Sequence, residues 1–204
     1  MPTDDRDALS RLADSVRQLI DVTVTIEAPP DRLAAAAARI DALVAELRRS
    51  VPEPPPARYP GGGTVAGDVF PYDYVMGKWN PLASPVHFEW QDPLAVGTAT
   101  FGTAYEGPPG CVHGAVIAAA FDQVLNVANL MSGAAGPTAR LEMRYRQPTP
   151  LHRAVRFEGW VTQREERKVR TAGRLLVDDN VTVEAEGLYI IVDAARVMRM
   201  LEDA

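Results

Sequence analysis

His113 and Gly114 open a long apolar stretch of this 204-residue chain, and Asp122 follows eight residues after the glycine. Residues 112–131 are rich in alanine and aliphatic side chains, too many for a strand and enough for about five turns of helix. The first N–H groups of a helix have no internal acceptor and sit at the positive end of its dipole, so they can hold the oxygen of a polarised carbonyl. Gly114 is the natural donor, because it has no Cβ to keep a carbonyl away. The preceding Gly107-Pro108-Pro109-Gly110-Cys111-Val112 loop carries glycines that allow close backbone approach.

Asp122, Asn126 and Asn129 stand at i, i+4 and i+7, within about 60° of one another around the axis of a helix whose other faces are Val, Ile, Ala, Phe and Leu. A buried carboxylate is costly unless paired or used, so this stripe either meets water or backbone groups of a neighbouring chain or takes part in chemistry. Eight residues of helix rise about 12 Å, so one chain cannot readily bring Gly114 and Asp122 to the same carbonyl. Two such helices passing antiparallel in a dimer would set Asp122 against the partner's Gly114 and make two equivalent interface sites.

The elements that must position these groups can be read from spacing. Leu9, Leu12, Val16, Leu19 and Ile20 give residues 4–24 an amphipathic stripe, with Thr3 as N-cap. Asp31, after Pro29-Pro30, is expected to cap a second helix over 31–49, lined by Leu33, Ala37, Ile40, Val44 and Leu47. Together they predict a helical hairpin over residues 1–50, either a lid or dimerisation element packed on the main domain or a membrane- or partner-binding one. Val51 to Gly63, with its prolines and triglycine, reads as a linker, and 64–84 as an irregular lead-in, so 51–84 separates the hairpin from a domain over 85–204. There, strand signals over 86–91, 95–105, 139–147, 154–163, 169–177 and 181–192 surround the helix in the order β-β-α-β-β-β-β. Asp178-Asp179-Asn180 turns between the last two, and a short helix follows from Asp193. An apolar helix among antiparallel strands must be buried by a sheet curling round it, which predicts an α+β architecture.

Composition excludes several classes. Lys+Arg 21 against Asp+Glu 27 leaves a net charge of −6, which is no footprint of nucleic-acid binding. The longest promising apolar run, Ala115 to Phe121, falls far below the roughly 20 residues that cross a bilayer, so no membrane span is expected. Met1-Pro2-Thr3-Asp4-Asp5 lacks the apolar region of a secretory signal and points to the cytoplasm. Cys111 is the only cysteine, and with His87, His113 and His152 as the only histidines the chain offers no pattern for a dedicated metal centre. Cys111 reads as a small buried hydrophobe rather than a nucleophile. Neither a Gly-x-Ser-x-Gly elbow nor a His-Glu-x-x-His motif is present.

His113-Gly114, Asp122 nine positions after the histidine, and the segment Thr138-Ala139-Arg140-Leu141-Glu142-Met143-Arg144-Tyr145-Arg146-Gln147-Pro148-Thr149-Pro150-Leu151 resemble the hotdog-fold acyl-CoA thioesterases of the phenylacetate-pathway and human thioesterase-superfamily type. The resemblance covers about residues 80–192, with Gly77-Lys78-Trp79-Asn80-Pro81 at its entrance. It implies a hotdog fold, an antiparallel sheet wrapped around a central helix, and hydrolysis of an acyl-CoA to free acid and coenzyme A in a homodimer or a tetramer. It further implies Gly114 as oxyanion donor, Asp122 as general base or nucleophile, and His113 as the residue that positions the loop or the substrate. Asn126 falls where related enzymes often place a water-orienting hydroxyl, and Ala115 stands where the usual motif has a second glycine. Coenzyme A is then part of the substrate and no separate cofactor is implied.

Charge patterning supports a phosphate-bearing ligand. Arg140 to Arg174 holds ten Arg and Lys side chains against four Glu, a basic segment in an acidic protein. Arg146, Arg167 and Lys168, together with Asn80 at the entrance, are the candidate coenzyme A contacts; the other reading is a solvated strand face with pairing across the sheet. Phe88, Trp90, Phe101 and Phe121 are candidates to set pocket depth. Two functions stay open: an acyl-CoA thioesterase, and a non-hydrolytic module that binds acyl-CoA or an acyl carrier on the same scaffold.

Overall fold

The structure, a computed structural model, describes residues 3–53, 70–134 and 136–191, with side chains from residue 8 onward. Helices α1 (Thr3–Thr25) and α2 (Pro30–Arg48) precede β1 (His87–Gln91), β2 (Leu94–Thr100), α3 (Gly114–Met131), β3 (Thr138–Tyr145), β4 (Ala154–Arg164), β5 (Lys168–Val177) and β6 (Asn180–Ile190). The strands form one antiparallel sheet in the order β1-β2-β4-β5-β6-β3, which leaves β3 on an edge. The sheet wraps around α3, so this is the α+β hotdog fold.

Small residues under the helix allow that wrapping. Ala95, Gly159, Gly173 and Ala185 are successive cross-strand partners in β2, β4, β5 and β6. A Cβ on Gly159 would lie 2.8 Å from Val124 Cγ1, and one on Gly173 would lie 3.1 Å from both Leu125 and Phe121. The row is therefore a shallow trough into which α3 lays Phe121, Val124 and Leu125. Phe157 of β4 meets Phe121 and Phe101 edge-on, with ring centroids 5.1 and 6.4 Å apart. Burying each such ring contributes about 1.5–3 kcal/mol. Phe101 and Phe121 are both fully buried, so they belong to the closed core rather than to the wall of an open pocket.

The element ends differ from expectation in three places. The strand expected over 95–105 stops at Thr100, because the chain then bends into a 3-10 turn over Thr103–Tyr105. Val112 pairs with Glu106 instead of joining the helix, which starts only after His113 caps it. Asp31 is not a cap: Pro29 occupies that position without a side-chain bond, and Asp31 lies in the first turn, where its charge suits the helix dipole. Asp178 and Asp179, with φ of 48° and 64°, make the tight turn between β5 and β6. Most of the linker segment and the helix expected from Asp193 lie outside the described residues.

The two N-terminal helices behave differently. α1 docks on the lead-in: Ala13 is buried, the Trp79 indole donates to Ser10 Oγ at 3.0 Å, and the Arg17 guanidinium donates to the carbonyls of Gly77, Lys78 and Asn80 at 3.2, 3.1 and 2.7 Å. Every residue of α2 is exposed, so it is not packed on the main domain and buries no face against α1.

Candidate active site

The first turn of α3 accounts for its own N–H groups with one exception. His113 Nδ1 accepts the Ala115 N–H at 3.0 Å, and the His113 carbonyl accepts those of Val116 and Ile117 at 3.0 and 3.3 Å. An accepting Nδ1 leaves the proton of the neutral ring on Nε2. Gly114 is the remaining position, and its N–H has no acceptor among the described residues. The loop before it is held in place. His113 N–H donates to the Tyr105 carbonyl at 2.9 Å, Val112 N–H donates to the Thr149 carbonyl at 2.8 Å, and a Cβ on Gly107 would press within 2.7 Å of His113 Cα.

Tyr145, near the end of β3, donates its hydroxyl to the Gly114 carbonyl at 2.8 Å. Burial raises the pKa of that phenol, which keeps the donor protonated. Asp122, half-buried two turns further along α3, accepts the Thr138 hydroxyl on Oδ1 at 2.7 Å. Thr138 opens β3 and faces Tyr189 across the β3–β6 ladder. Burial, and then the nearby charge of Asp122, raise the pKa of Tyr189 and keep it neutral. The hydroxyls of Thr138 and Thr171 lie near the Tyr189 oxygen, yet neither gives it or the Thr171 oxygen a well-formed hydrogen bond among the described residues.

The polar stripe on α3 thus divides. Asp122 receives its hydroxyl from the edge strand and not from Asn126, which is half-buried one turn on and has no hydrogen bond to a described side chain. Asn129 is fully buried with neither amide atom partnered among the described residues, and it belongs to the core. Thr138 and Tyr145 were missed by the sequence reading. Both stand in the segment that carries the family resemblance, but hydrophobic spacing gives no sign of a hydroxyl crossing from a strand to a helix.

The basic segment is largely paired. Arg146 bonds Glu184 at 2.5 Å, Arg140 bonds Glu142 at 2.5 Å, and Arg156 and Arg174 converge on Glu158 at 2.9 and 2.7 Å. Burial alone would push the Glu158 carboxyl up, and the two guanidinium groups outweigh it and hold the carboxyl below its usual range. Arg146 is therefore engaged across the sheet, as the alternative reading anticipated. Arg167 and Lys168 are exposed at the turn between β4 and β5. Arg164 beside them donates to the carbonyls of Ser132 and Gly133 at 2.7 and 3.1 Å, which sets this turn at the C-terminal end of α3. Asn80 uses both ends of its amide within the lead-in: Nδ2 donates to the Tyr72 carbonyl at 3.2 Å, and Oδ1 accepts the Leu82 N–H at 3.0 Å. Among the described residues no three His, Cys, Asp or Glu side chains converge as a metal site.

Comparison with known proteins now decides the family. The thioesterase superfamily profile matches residues 109–185, from the loop before α3 into β6. A crystal structure of a thioesterase superfamily protein matches with a TM-score of 0.80 at 34% identity, covering 89% of this chain and 90% of that one. The chain belongs to the thioesterase superfamily. Zebrafish thioesterase superfamily member 2 matches with a TM-score of 0.50 at 13% identity, covering 53% of this chain and 82% of that one. A mutant of a hypothetical thioesterase protein from Streptococcus pneumoniae also matches at 0.50, with 14% identity over 53% of this chain and 92% of that one. These last two share the hotdog fold alone. The superfamily loop, helix and edge strand are the parts that carry Gly114, Asp122, Thr138 and Tyr145.

Proposed function

We propose that this superfamily member is an acyl-CoA thioesterase working at an interface between two copies of the chain. The observation that carries the reading is the Gly114 N–H, left without an acceptor at the start of α3 while every other N–H of that first turn is used. In this reading a thioester carbonyl oxygen accepts that N–H. Asp122 then takes a proton from a water that attacks the carbonyl carbon, or attacks that carbon itself, and the tetrahedral oxyanion collapses with loss of the coenzyme A thiolate, which is protonated from the medium; where Asp122 is the nucleophile, water then hydrolyses the acyl-aspartyl anhydride, which releases the free acid and restores the carboxylate. His113 keeps the first turn wound so that the Gly114 donor stays directed outward.

The rise of about 12 Å between Gly114 and Asp122 on one helix supports a site whose two groups come from different chains. The exposed edge of β3, paired only through β6, supports a second copy lying alongside, with α3 of each chain antiparallel to the other. Of the three candidate cations, Arg167 and Lys168 are the two with no ion pair among the described residues, and they serve the phosphates of coenzyme A in this reading.

The test is release of free thiol from a panel of aryl-, short-, medium- and long-chain acyl-CoAs, with Asp122→Asn beside the wild type. The expected outcome is turnover of at least one class, reduced about 100-fold or more in the variant, with acyl-CoA binding retained. Full activity in Asp122→Asn overturns the mechanism. Saturable binding with no turnover in the wild type replaces it with the binding-module reading.

A further inference from the structure

α2 carries an apolar seam that nothing among the described residues covers. Leu33, Ala36, Ile40, Leu43 and Leu47 recur at alternating steps of three and four, the a and d positions of a heptad repeat, and Ala37 and Val44 widen the seam on one flank. Leu43 is 50% exposed and Leu47 42%, although both lie within a regular 19-residue helix. Isolated helices of that length are marginal in water, so the seam calls for a partner surface.

We propose that α2 pairs antiparallel with α2 of a second copy of this chain. The charges select both the occupant and the direction. Arg32, Arg39 and Glu46 occupy the g positions, on the flank opposite Ala37 and Val44. Turning one helix end for end places g positions against g positions. A register with Ile40 against the partner's Leu43 then brings Arg39 beside the partner's Glu46, and the two-fold axis makes the contact twice. In a parallel pair Arg39 would face Val44 of the partner subunit and Glu46 would face a position past the end of the partner's helix, so neither would find an ion partner. Antiparallel packing also opposes the two helix dipoles, and the run of alanines from Ala34 to Ala38 lets the backbones come close. The seam from Leu33 to Leu47 is only about 21 Å long, so it tightens an association between copies and does not suffice to create one.

The test is sedimentation equilibrium of the full chain over a dilution series. Leu43→Glu is expected to raise the dissociation concentration at least about tenfold, with unchanged helix content, because Leu43 supports nothing in its own chain. Arg39→Glu and Glu46→Arg are each expected to weaken association in the same way, since like charges then meet. An equimolar mixture of these two variants is expected to return to the wild-type value, because the reversed charges complement each other only between chains. Association of Leu43→Glu at the wild-type concentration overturns the proposal. So does a mixture no tighter than its components, the result expected if the seam instead takes the exposed Leu12 and Leu19 of α1 or an unrelated protein. The measurement needs no substrate, so it stands or falls separately from the thioesterase reading.

Discussion

The Thr138 hydroxyl and the Asp122 carboxylate meet at 2.7 Å, joining the edge strand to the central helix, and they occupy Oδ1 while Oδ2 has no bond among the described residues. One oxygen is thus fixed by the protein and the other is available to water or substrate. A hydrogen bond to a charged group contributes about 1.5–3 kcal/mol, so Thr138→Val is expected to lower kcat by about 10- to 100-fold with little change in KM. Thr138→Ser should restore most of the loss. Steady-state kinetics on the best acyl-CoA check this, and a Thr138→Val enzyme with wild-type kcat removes Thr138 from the site.

Sites shared between chains make a prediction that a single-chain site does not. Asp122→Asn and Gly114→Val are each expected to be inactive alone. Unfolded together and refolded at equal ratio, they should regain about a quarter of wild-type activity, because half the dimers are mixed and each mixed dimer has one intact site. Verified mixed dimers without activity would place both groups of a site in one chain.

Glu158 sets a pH dependence. Its carboxyl is held below its ordinary range in the folded chain by Arg156 and Arg174, against the effect of burial. The unfolded value is about 4.3, so the stabilisation is fully present above that pH and is lost as pH falls through the lower folded value. Glu158→Gln is expected to cost about 1.5–3 kcal/mol at neutral pH and to flatten the loss of stability below about pH 4. Urea unfolding of both proteins across that range measures the difference. Parallel curves would mean that the ion cluster contributes nothing.

Asn129 is the opposite case, a buried amide with no described partner. Leaving such a group unsatisfied costs about 1–3 kcal/mol, and Leu has the same branched outline of four side-chain heavy atoms, with bulkier methyl ends. Asn129→Leu is expected to raise the urea midpoint without affecting turnover. A lower midpoint would reveal a hydrogen-bonding role for the amide that the described residues do not supply.

The central helix, the six strands and the glycine at the helix start could be read from the chain, because each rests on local spacing: a run of apolar residues, alternation, a glycine after a loop. What spacing could not supply is adjacency. Ala95, Gly159, Gly173 and Ala185 come from four strands, and only the order β2-β4-β5-β6 makes them neighbours. The same holds for Arg146 and Glu184, far apart in sequence and 2.5 Å apart across the sheet. α2 shows a different limit. Its 3.6-residue periodicity is the same whether its apolar face is covered by its own domain or by another chain, so the pattern predicted packing and was silent on where it occurs.

The trough beneath α3 has a consequence for precision. A helix resting on leucines can settle through many rotamer combinations, whereas one resting on glycine and alanine rests on main chain, which has almost no slack. A single methyl at Gly159 would lie 2.8 Å from Val124 Cγ1, 3.2 Å from Leu125 Cδ2 and 3.3 Å from the Val124 carbonyl, two residues beyond Asp122. The helix would tilt as a rigid rod about that point, carrying Asp122 off the Thr138 hydroxyl at one position and the Gly114 N–H out of line at the other. Alignment of the two candidate groups is therefore held by the row of small residues beneath the helix, and in a two-fold assembly the same displacement would reach both copies at once.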